Sequence, residues 1–362
     1  MEDIEQNEIL GMRALESLIH MEQKDMQEKL LLHALPADRT VQNALAVCSQ
    51  EELEELRYNL YVYEDEKQER EELAASIAPA VVKFARTWFL SMIEEQYRFF
   101  QQLIAQGGMT TDIPVVDMRI GYLNRVGLLM PGNLNGQLAW YMPDELQQVF
   151  REMDHEDLAA SIAFNTKVLR LAAGVIQYAG FMEHRRLFDE VSYFIDDPSG
   201  GEMQYIDFMG TIINGSCWYN RIHMNDYGAY HYAIMDPDLF VDMQYSHTDL
   251  EYLELTAEQA WAAGADGYIA KPAAYHALRQ FLLEKHAYTE KRADQVLCEI
   301  TILLQNYADI QPVLRYAYAI GLMKTAAKTR QLESLLADYR ENLPLWQLKG
   351  HTIRELPVTE DA

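Results

Sequence analysis

One passage of this chain occurs twice, and this repetition limits the possible folds more than any other feature of the sequence. The first copy spans residues 119–147 and the second spans residues 209–240. Each copy contains an apolar helical stretch, a glycine, a short apolar run, a polar turn and a second apolar run. Each then ends in Met, Pro and Asp residues, which are typical of a new helix start. The shared order predicts two similar units related by duplication.

The alternation of apolar runs and turn residues predicts a β-hairpin in each copy. The predicted strands are 128–130 and 138–141 in the first copy, and 218–223 and 229–234 in the second. Residues 131–136 are rich in Pro, Gly and Asn, which predicts a loop between the first two strands. A helix followed by such a hairpin resembles a winged helix. That fold usually binds nucleic acid or another protein, so the resemblance implies recognition rather than catalysis.

The rest of the chain shows helical periodicity. Residues 1–34 predict one acidic helix, and Pro79 predicts a boundary between two later helices. We therefore expect a mostly α protein with small β content, made of two tandem winged-helix-like units and a C-terminal α-helical bundle. The predicted segments are a helical leader at 1–72, winged-helix-like units at 73–153 and 154–247, the bundle at 248–341 and an irregular tail at 342–362.

The chain is strongly acidic, with a formal net charge of −26 over 362 residues. Binding of duplex nucleic acid depends on Lys and Arg side chains that neutralise phosphates, so this charge opposes it. The 3 cysteines are far apart and form no CxxC, which predicts neither a disulfide framework nor a cysteine zinc site. Without a signal-peptide pattern or a long uncharged apolar run, we expect a cytoplasmic protein with no membrane contact.

The helix before the first hairpin carries the residues best suited to reading bases. These candidates are Arg119, Tyr122, Asn124 and Arg125. Arg and Asn side chains pair with guanine and adenine edges in the major groove. Asp117 on the same helix would oppose phosphate. Nucleic-acid binding by this first unit is therefore an alternative that the net charge disfavours.

The corresponding helix of the second copy, residues 202–213, has no basic residue, so it is not expected to read DNA. Its Tyr205, Phe208 and Met209 are better suited to packing against protein. The hairpin that follows adds Arg221, His223 and Tyr227, a polar and aromatic set that can anchor a partner. These three residues are further candidates for an interaction surface.

The tail contains Asn342, Trp346, Gly350, Thr352 and a final Glu-Leu pair. This pattern resembles the tail of a set of uncharacterised bacterial proteins in which a SEC-C zinc motif lies nearby. In this chain Ile353 replaces the proline of that pattern, and the SEC-C cysteines are absent. Residues 30–60 are similar to the Rho-N or SAP-like leader of the same proteins, with glutamates in place of its basic residues. The resemblance implies a bacterial cytoplasmic protein without a defined activity, and makes Trp346 a candidate contact residue.

We find no nucleophile motif, phosphate-binding loop, dinucleotide motif or His/Cys spacing typical of a metal site. The expectation is therefore no catalytic residues, no cofactor and no metal. The leading hypothesis is a non-enzymatic protein-interaction or regulatory module whose partner is another protein. The alternatives are a nucleic-acid-binding regulator that uses the first unit, and an acidic decoy that imitates DNA.

Overall fold

The computed structural model describes residues 20–63, 68–195, 203–307 and 309–356. The chain divides into two compact units, Met1–Thr166 and Lys167–Ala362, and the division falls within one long helix. Among the described residues, each unit is mostly helical and contains one three-stranded antiparallel sheet. The prediction of a mostly α protein with small β content is confirmed.

In the first unit, the predicted leader helix is present over residues 20–30 (α1), whereas residues 1–19 lie outside the described part of the chain. The elements that follow are α2 (Val41–Ala46), α3 (Gln50–Asn59), α4 (Arg70–Leu90), α5 (Glu94–Ala105), β1 (Met109–Thr110), α6 (Met118–Arg125), β2 (Met130–Leu134), β3 (Gln137–Tyr141), α7 (Asp144–Met153) and α8 (Glu156–Ala179).

Helix α4 is the centre of the first unit and packs against α2, α3 and α7. Pro79 lies inside this helix, so the predicted helix boundary at Pro79 is wrong. A proline within a helix removes one backbone hydrogen bond and strains the preceding turn. Leu73, Ile77 and Val81 of the same helix are fully buried, and the free energy of that burial offsets the strain.

The first sheet ends in a two-residue hairpin turn. Strand β2 continues to Leu134 and pairs with β3 along its whole length, so most of the loop predicted at 131–136 is strand. The turn consists of Asn135, with φ of 54°, and Gly136, with φ of 89°. Two successive residues with positive φ form the type I′ turn that matches the twist of a hairpin. The Asn133 Oδ1 atom accepts a hydrogen bond from the Gly136 N–H at 2.7 Å and secures the turn.

The second unit contains the end of α8 and a second sheet, followed by helices. Its elements are β4 (Phe181–Glu183), α9 (His184–Phe194), α10 (Tyr205–Tyr219), β5 (Ile222–Met224), β6 (Gly228–His231), α11 (Pro237–Ser246), α12 (Ala257–Ala263), α13 (Ala273–His286), α14 (Glu290–Asn306), α15 (Gln311–Ala319), α16 (Ala326–Asn342) and two short 3₁₀ helices, Trp346–Leu348 and Ile353–Glu355. Helices α13 to α16 share one apolar core, which includes Leu278, Val296, Leu304 and Leu336.

Trp218 and Tyr219 belong to α10, so the strand predicted from residue 218 starts too early. The helix reaches Tyr219 because Phe208, Ile212 and Gly215 continue its buried face at helical spacing. It ends where Asn220 adopts a left-handed conformation with φ of 44°, which is a common helix stop. Only after this stop does the backbone become extended, at Ile222.

The two sheets have the same strand order. In each, the last strand in sequence lies in the middle: β3 lies between β1 and β2, and β6 lies between β4 and β5. In each, a helix precedes the last two strands, and another helix follows them directly. The repetition in the sequence therefore corresponds to a repetition of sheet topology.

Two helices, Arg70–Leu90 and Glu156–Ala179, are long and apolar enough to cross a membrane by length and composition alone. The buried shares of their most apolar windows are 39% and 56%. Long core helices pass the same test, and the buried residues of α4 lie in the core of the first unit. These helices therefore give no argument for a membrane span.

Candidate interaction surfaces

The charge of Arg119 is neutralised by its own helix. Asp117 is the N-cap of α6, and its carboxylate accepts hydrogen bonds from Arg119 Nε at 3.0 Å and Arg119 Nη2 at 2.6 Å. The guanidinium lowers the pKa of Asp117, and Asp117, together with Glu95, raises the pKa of Arg119. Because this pairing already uses the fork of the guanidinium, Arg119 is poorly placed to read a base.

The remaining candidates on α6 are also engaged locally. Asn124 donates from Nδ2 to the backbone carbonyl of Leu129 at 3.0 Å, which fixes the start of the hairpin. Arg125 is exposed, and its Nε donates weakly to the Gly121 carbonyl at 3.4 Å. Tyr122 is half-buried. Of the candidates on this helix, only Arg125 therefore offers an exposed cation that is not held by a carboxylate in the described structure.

Arg221 lies in the interior rather than on a surface, with only 7% of its area exposed. Its guanidinium donates to the side-chain oxygen of Gln177 at 2.5 Å and to the backbone carbonyl of Ala265. Its Nε has no partner among the described residues. Arg221 is the only Lys or Arg between residues 205 and 231. The helix and hairpin of the second unit therefore expose no Lys or Arg side chain.

The two other hairpin candidates differ in exposure. Tyr227 is exposed at the turn between β5 and β6. His223 is half-buried, its ring is close to Tyr230, and burial lowers the pKa of its imidazole. A neutral His223 adds no positive charge at neutral pH. The hairpin of the second unit thus offers a polar and aromatic surface without basic groups.

The outer face of α10 is apolar, which the sequence analysis only partly identified. We call Ile206, Met209, Gly210 and Ile213 the α10 stripe; their spacing of three and four residues places them on one side of the helix. Ile206 is 76% exposed and Ile213 is 46% exposed. Phe208, expected to contact a partner, is instead buried on the opposite face. Helical periodicity divides α10 into two apolar faces but does not indicate which of them is buried.

Trp346 has 0% exposed area, so it cannot contribute to a surface of the folded chain. Its indole ring lies 4.6 Å from the ring of His231 and 6.2 Å from that of Phe240. The tail of the second unit is therefore part of that unit's core. This burial corrects the prediction that Trp346 belongs to an interaction surface.

A cavity of about 520 Å³ lies between α1 and residues 111–116. Its titratable lining groups are His20 and Lys24, which do not form an acid–base pair. Elsewhere in the first unit His33, Cys48 and Glu52 place their ligand atoms within 4.8 Å of one another. Within the described residues, these are the groups that could hold a metal ion. Their spacing along the chain matches no metal motif, so the sequence alone does not indicate them.

Comparison of the chain with protein-family models, with curated proteins and with solved structures gives no match.

Proposed function

We propose that this chain is a non-enzymatic protein-interaction module that contains two winged-helix-like units. The shared strand order of the two sheets supports this interpretation. The second unit has the full winged-helix order of helix, strand, two helices and two strands, from α8 to β6. The first unit follows the same order from α5 to β3, with residues 111–117 in place of the middle helix.

The observation that carries the proposal is the α10 stripe. In a winged-helix unit α10 corresponds to the recognition helix, the element that contacts the ligand. Its buried face already packs in the core of the second unit, and its outer face is also apolar. A helix that is apolar on both sides normally has neighbours on both sides. We infer that a partner protein with an apolar surface covers the stripe.

The charges on α10 and on the hairpin that follows it favour a protein over nucleic acid. Asp207 and Asp226 are exposed, whereas Arg221 is buried. Phosphate groups would therefore meet these carboxylates, and Arg185, whose guanidinium lies 5.6 Å from the Tyr205 ring, is already paired with Asp189. An apolar patch beside a few acids instead suits a neutral or basic protein, because apolar burial supplies affinity and charge complementarity supplies specificity.

The experiment compares the full chain with a variant carrying both Ile206→Glu and Ile213→Glu as baits in a native extract. We expect a partner that the double variant loses, because two buried carboxylates would replace apolar contacts. Tyr318→Glu is the matched control, since Tyr318 is 70% exposed on α15, outside the stripe. Sedimentation of the purified chain shows whether the partner is a second copy.

Three outcomes would contradict the proposal. The first is equal capture of all partners by the wild type and the double variant. The second is binding of duplex DNA or RNA that survives the double substitution but is lost in Arg125→Ala, which would favour a nucleic-acid regulator. The third is capture of basic proteins that is equal for the wild type and the double variant and is lost as the salt concentration rises. This result would favour an acidic decoy.

A further inference from the structure

Three side chains of different chemistry converge at one place in the first unit. His33 follows the last turn after α1, Cys48 lies between α2 and α3, and Glu52 is in the first turn of α3. The Nε2 atom of His33 lies 3.0 Å from Oε1 of Glu52, and the Cys48 Sγ atom lies within 4.8 Å of both ligand groups. An imidazole, a thiol and a carboxylate are the three side-chain types that bind zinc in proteins.

The surrounding contacts orient these groups as a metal site requires. The Nδ1 atom of His33 lies 3.1 Å from the Leu30 carbonyl, so it donates there and leaves Nε2 directed at the cluster. Histidine ligands usually have such an N–H···O=C bond, which fixes the ring and its tautomer. The backbone carbonyl of His33 accepts from Asn133 N–H at 2.8 Å, which ties this residue to strand β2.

Glu52 is also held in place. Its carboxylate accepts from Ser49 N–H at 2.7 Å and from the Ser49 hydroxyl at 2.9 Å, as part of a capping box at the start of α3. Oε2 of Glu52 therefore accepts the hydrogen bonds that position the carboxylate, while Oε1 can approach a metal ion. Ligand carboxylates in metal sites commonly have such supporting hydrogen bonds.

A small cavity of about 30 Å³ adjoins the cluster and is lined by all three groups together with Asn124 and Arg125. A space of this size holds one water molecule. His33 and Cys48 are buried, but the Glu52 side chain is 40% exposed. An ion can therefore reach the site past Glu52, and a water molecule can occupy a fourth ligand position on the cavity side.

We propose that His33, Cys48 and Glu52 bind one zinc-type divalent metal ion, with a water molecule as the fourth ligand. Tetrahedral bonds of about 2.0 Å to nitrogen and oxygen separate those two atoms by about 3.3 Å. The present separation of 3.0 Å between Nε2 and Oε1 is close to that value. A thiolate and a carboxylate together balance the charge of the ion, and the histidine binds in its neutral form.

Binding exchanges protons for metal. The buried Cys48 thiol donates to the Ala44 carbonyl at 3.5 Å, and a proton on His33 Nε2, which lies 3.1 Å from Oε2 of Glu52, would occupy the position of the metal ion. Coordination releases the thiol proton and the Nε2 proton, so affinity rises with pH. The ion then joins the end of α1 to the α2–α3 junction. This link within the first unit does not depend on the proposed interaction surface.

The test uses the full chain, stripped with a chelator and titrated with Co²⁺. We expect one equivalent to give the visible bands of tetrahedral cobalt and a near-ultraviolet band from thiolate ligation. Cys48→Ser should remove the thiolate band, whereas Cys298→Ser, which changes a thiol on α14, should keep it. Zn²⁺ should displace cobalt and raise the melting temperature of the wild type.

Glu52→Gln provides a second test in case Cys48→Ser does not fold. Glutamine can still serve the capping box, so α3 keeps its N-terminal support while the anionic ligand is lost. We expect this variant to fold and to bind Co²⁺ more than about tenfold more weakly, because loss of even an outer partner of a metal ligand weakens binding by about 10–100-fold. Absence of the cobalt bands from the wild type, or a thiolate band that persists in Cys48→Ser, would overturn the proposal.

Discussion

The indole N–H of Trp346 donates a hydrogen bond to the backbone carbonyl of Gln177 at 3.0 Å, which joins the tail of the second unit to α8. Gly180 allows this approach, because a Cβ atom there would lie 2.5 Å from the Cβ of Trp346. Gln244 adds a further link, since its Nε2 donates to the carbonyls of Ala179 and Trp346 at 2.6 and 2.7 Å. The tail is thus an internal part of the second unit.

Trp346→Ala should therefore destabilise the second unit strongly. Removing a fully buried tryptophan leaves a large cavity and costs about 3–5 kcal/mol of unfolding free energy. Urea denaturation followed by circular dichroism measures this loss. Tyr318→Ala removes an exposed aromatic ring and serves as the control, with an expected change within about 0.5 kcal/mol. Equal effects of the two substitutions would show that the tail does not contribute to the core.

The burial of Trp346 could not be predicted from the sequence, because its partners lie far away along the chain and no local pattern connects them. Local signals were reliable where one segment determines its own structure. Thr256, Thr289 and Thr325 each cap a helix within residues 248–341, the segment for which helical periodicity predicts a bundle. Strands β1 and β4 are too short to show a pattern and form only by pairing with distant strands.

His231 gives the second unit a specific pH dependence. Its Nε2 lies 3.1 Å from Oε1 of Gln177, and its Nδ1 accepts from the Ala233 N–H at 3.2 Å, so the neutral ring satisfies both positions. Burial and the nearby charge of Arg221 lower the pKa of His231 to about 3. An unfolded histidine has a pKa of about 6.5, so between these values the unfolded state binds one more proton.

The stability that His231 contributes is therefore fully present above about pH 6.5 and is lost as the pH falls towards 3. Between about pH 6.5 and 5.5 the free energy of unfolding should fall by roughly 1 kcal/mol. Urea denaturation of the wild type and His231→Gln between pH 5 and 7.5 measures the difference. The variant should be less stable at neutral pH but should lose less stability on acidification. His276→Gln, an exposed site on α13, should keep the wild-type slope. Parallel curves for wild type and His231→Gln would rule out this contribution.

The turn of the first hairpin depends on Gly136. Its φ of 89° is strained for any residue with a side chain, although its added Cβ would meet nothing within 4 Å. Gly136→Ala should therefore cost about 1–2 kcal/mol through backbone strain alone. Thermal unfolding followed by circular dichroism provides the measurement. Gly121→Ala, in helix α6 without a positive φ, is the control and should be neutral or stabilising.

The turn of the first hairpin and the outward face of α10 are two features that the sequence predicts only in part. Asn135 and Gly136 form the strongest local signal for a two-residue turn. Because residues 131–134 are also rich in turn-forming types, the sequence predicted a longer loop over 131–136. On α10 the residue types alone indicated an apolar helix without basic groups. Which apolar residues face outward depends on packing in the second unit, because that packing selects Phe208 and Ile212 for the interior.

Gly210 connects the stability of the second unit to its proposed function. An added Cβ at this helical position would meet nothing within 4 Å, so Gly210→Ala should stabilise the free protein by about 0.4–1 kcal/mol. If a partner packs closely over the α10 stripe, the same methyl group should weaken binding by about tenfold, or about 1.4 kcal/mol. Thermal unfolding and quantitative capture of the partner measure the two effects. Gly121→Ala on α6 should again be neutral or stabilising and should leave capture unchanged. A stabilised Gly210→Ala variant with wild-type capture would therefore contradict partner binding through the stripe.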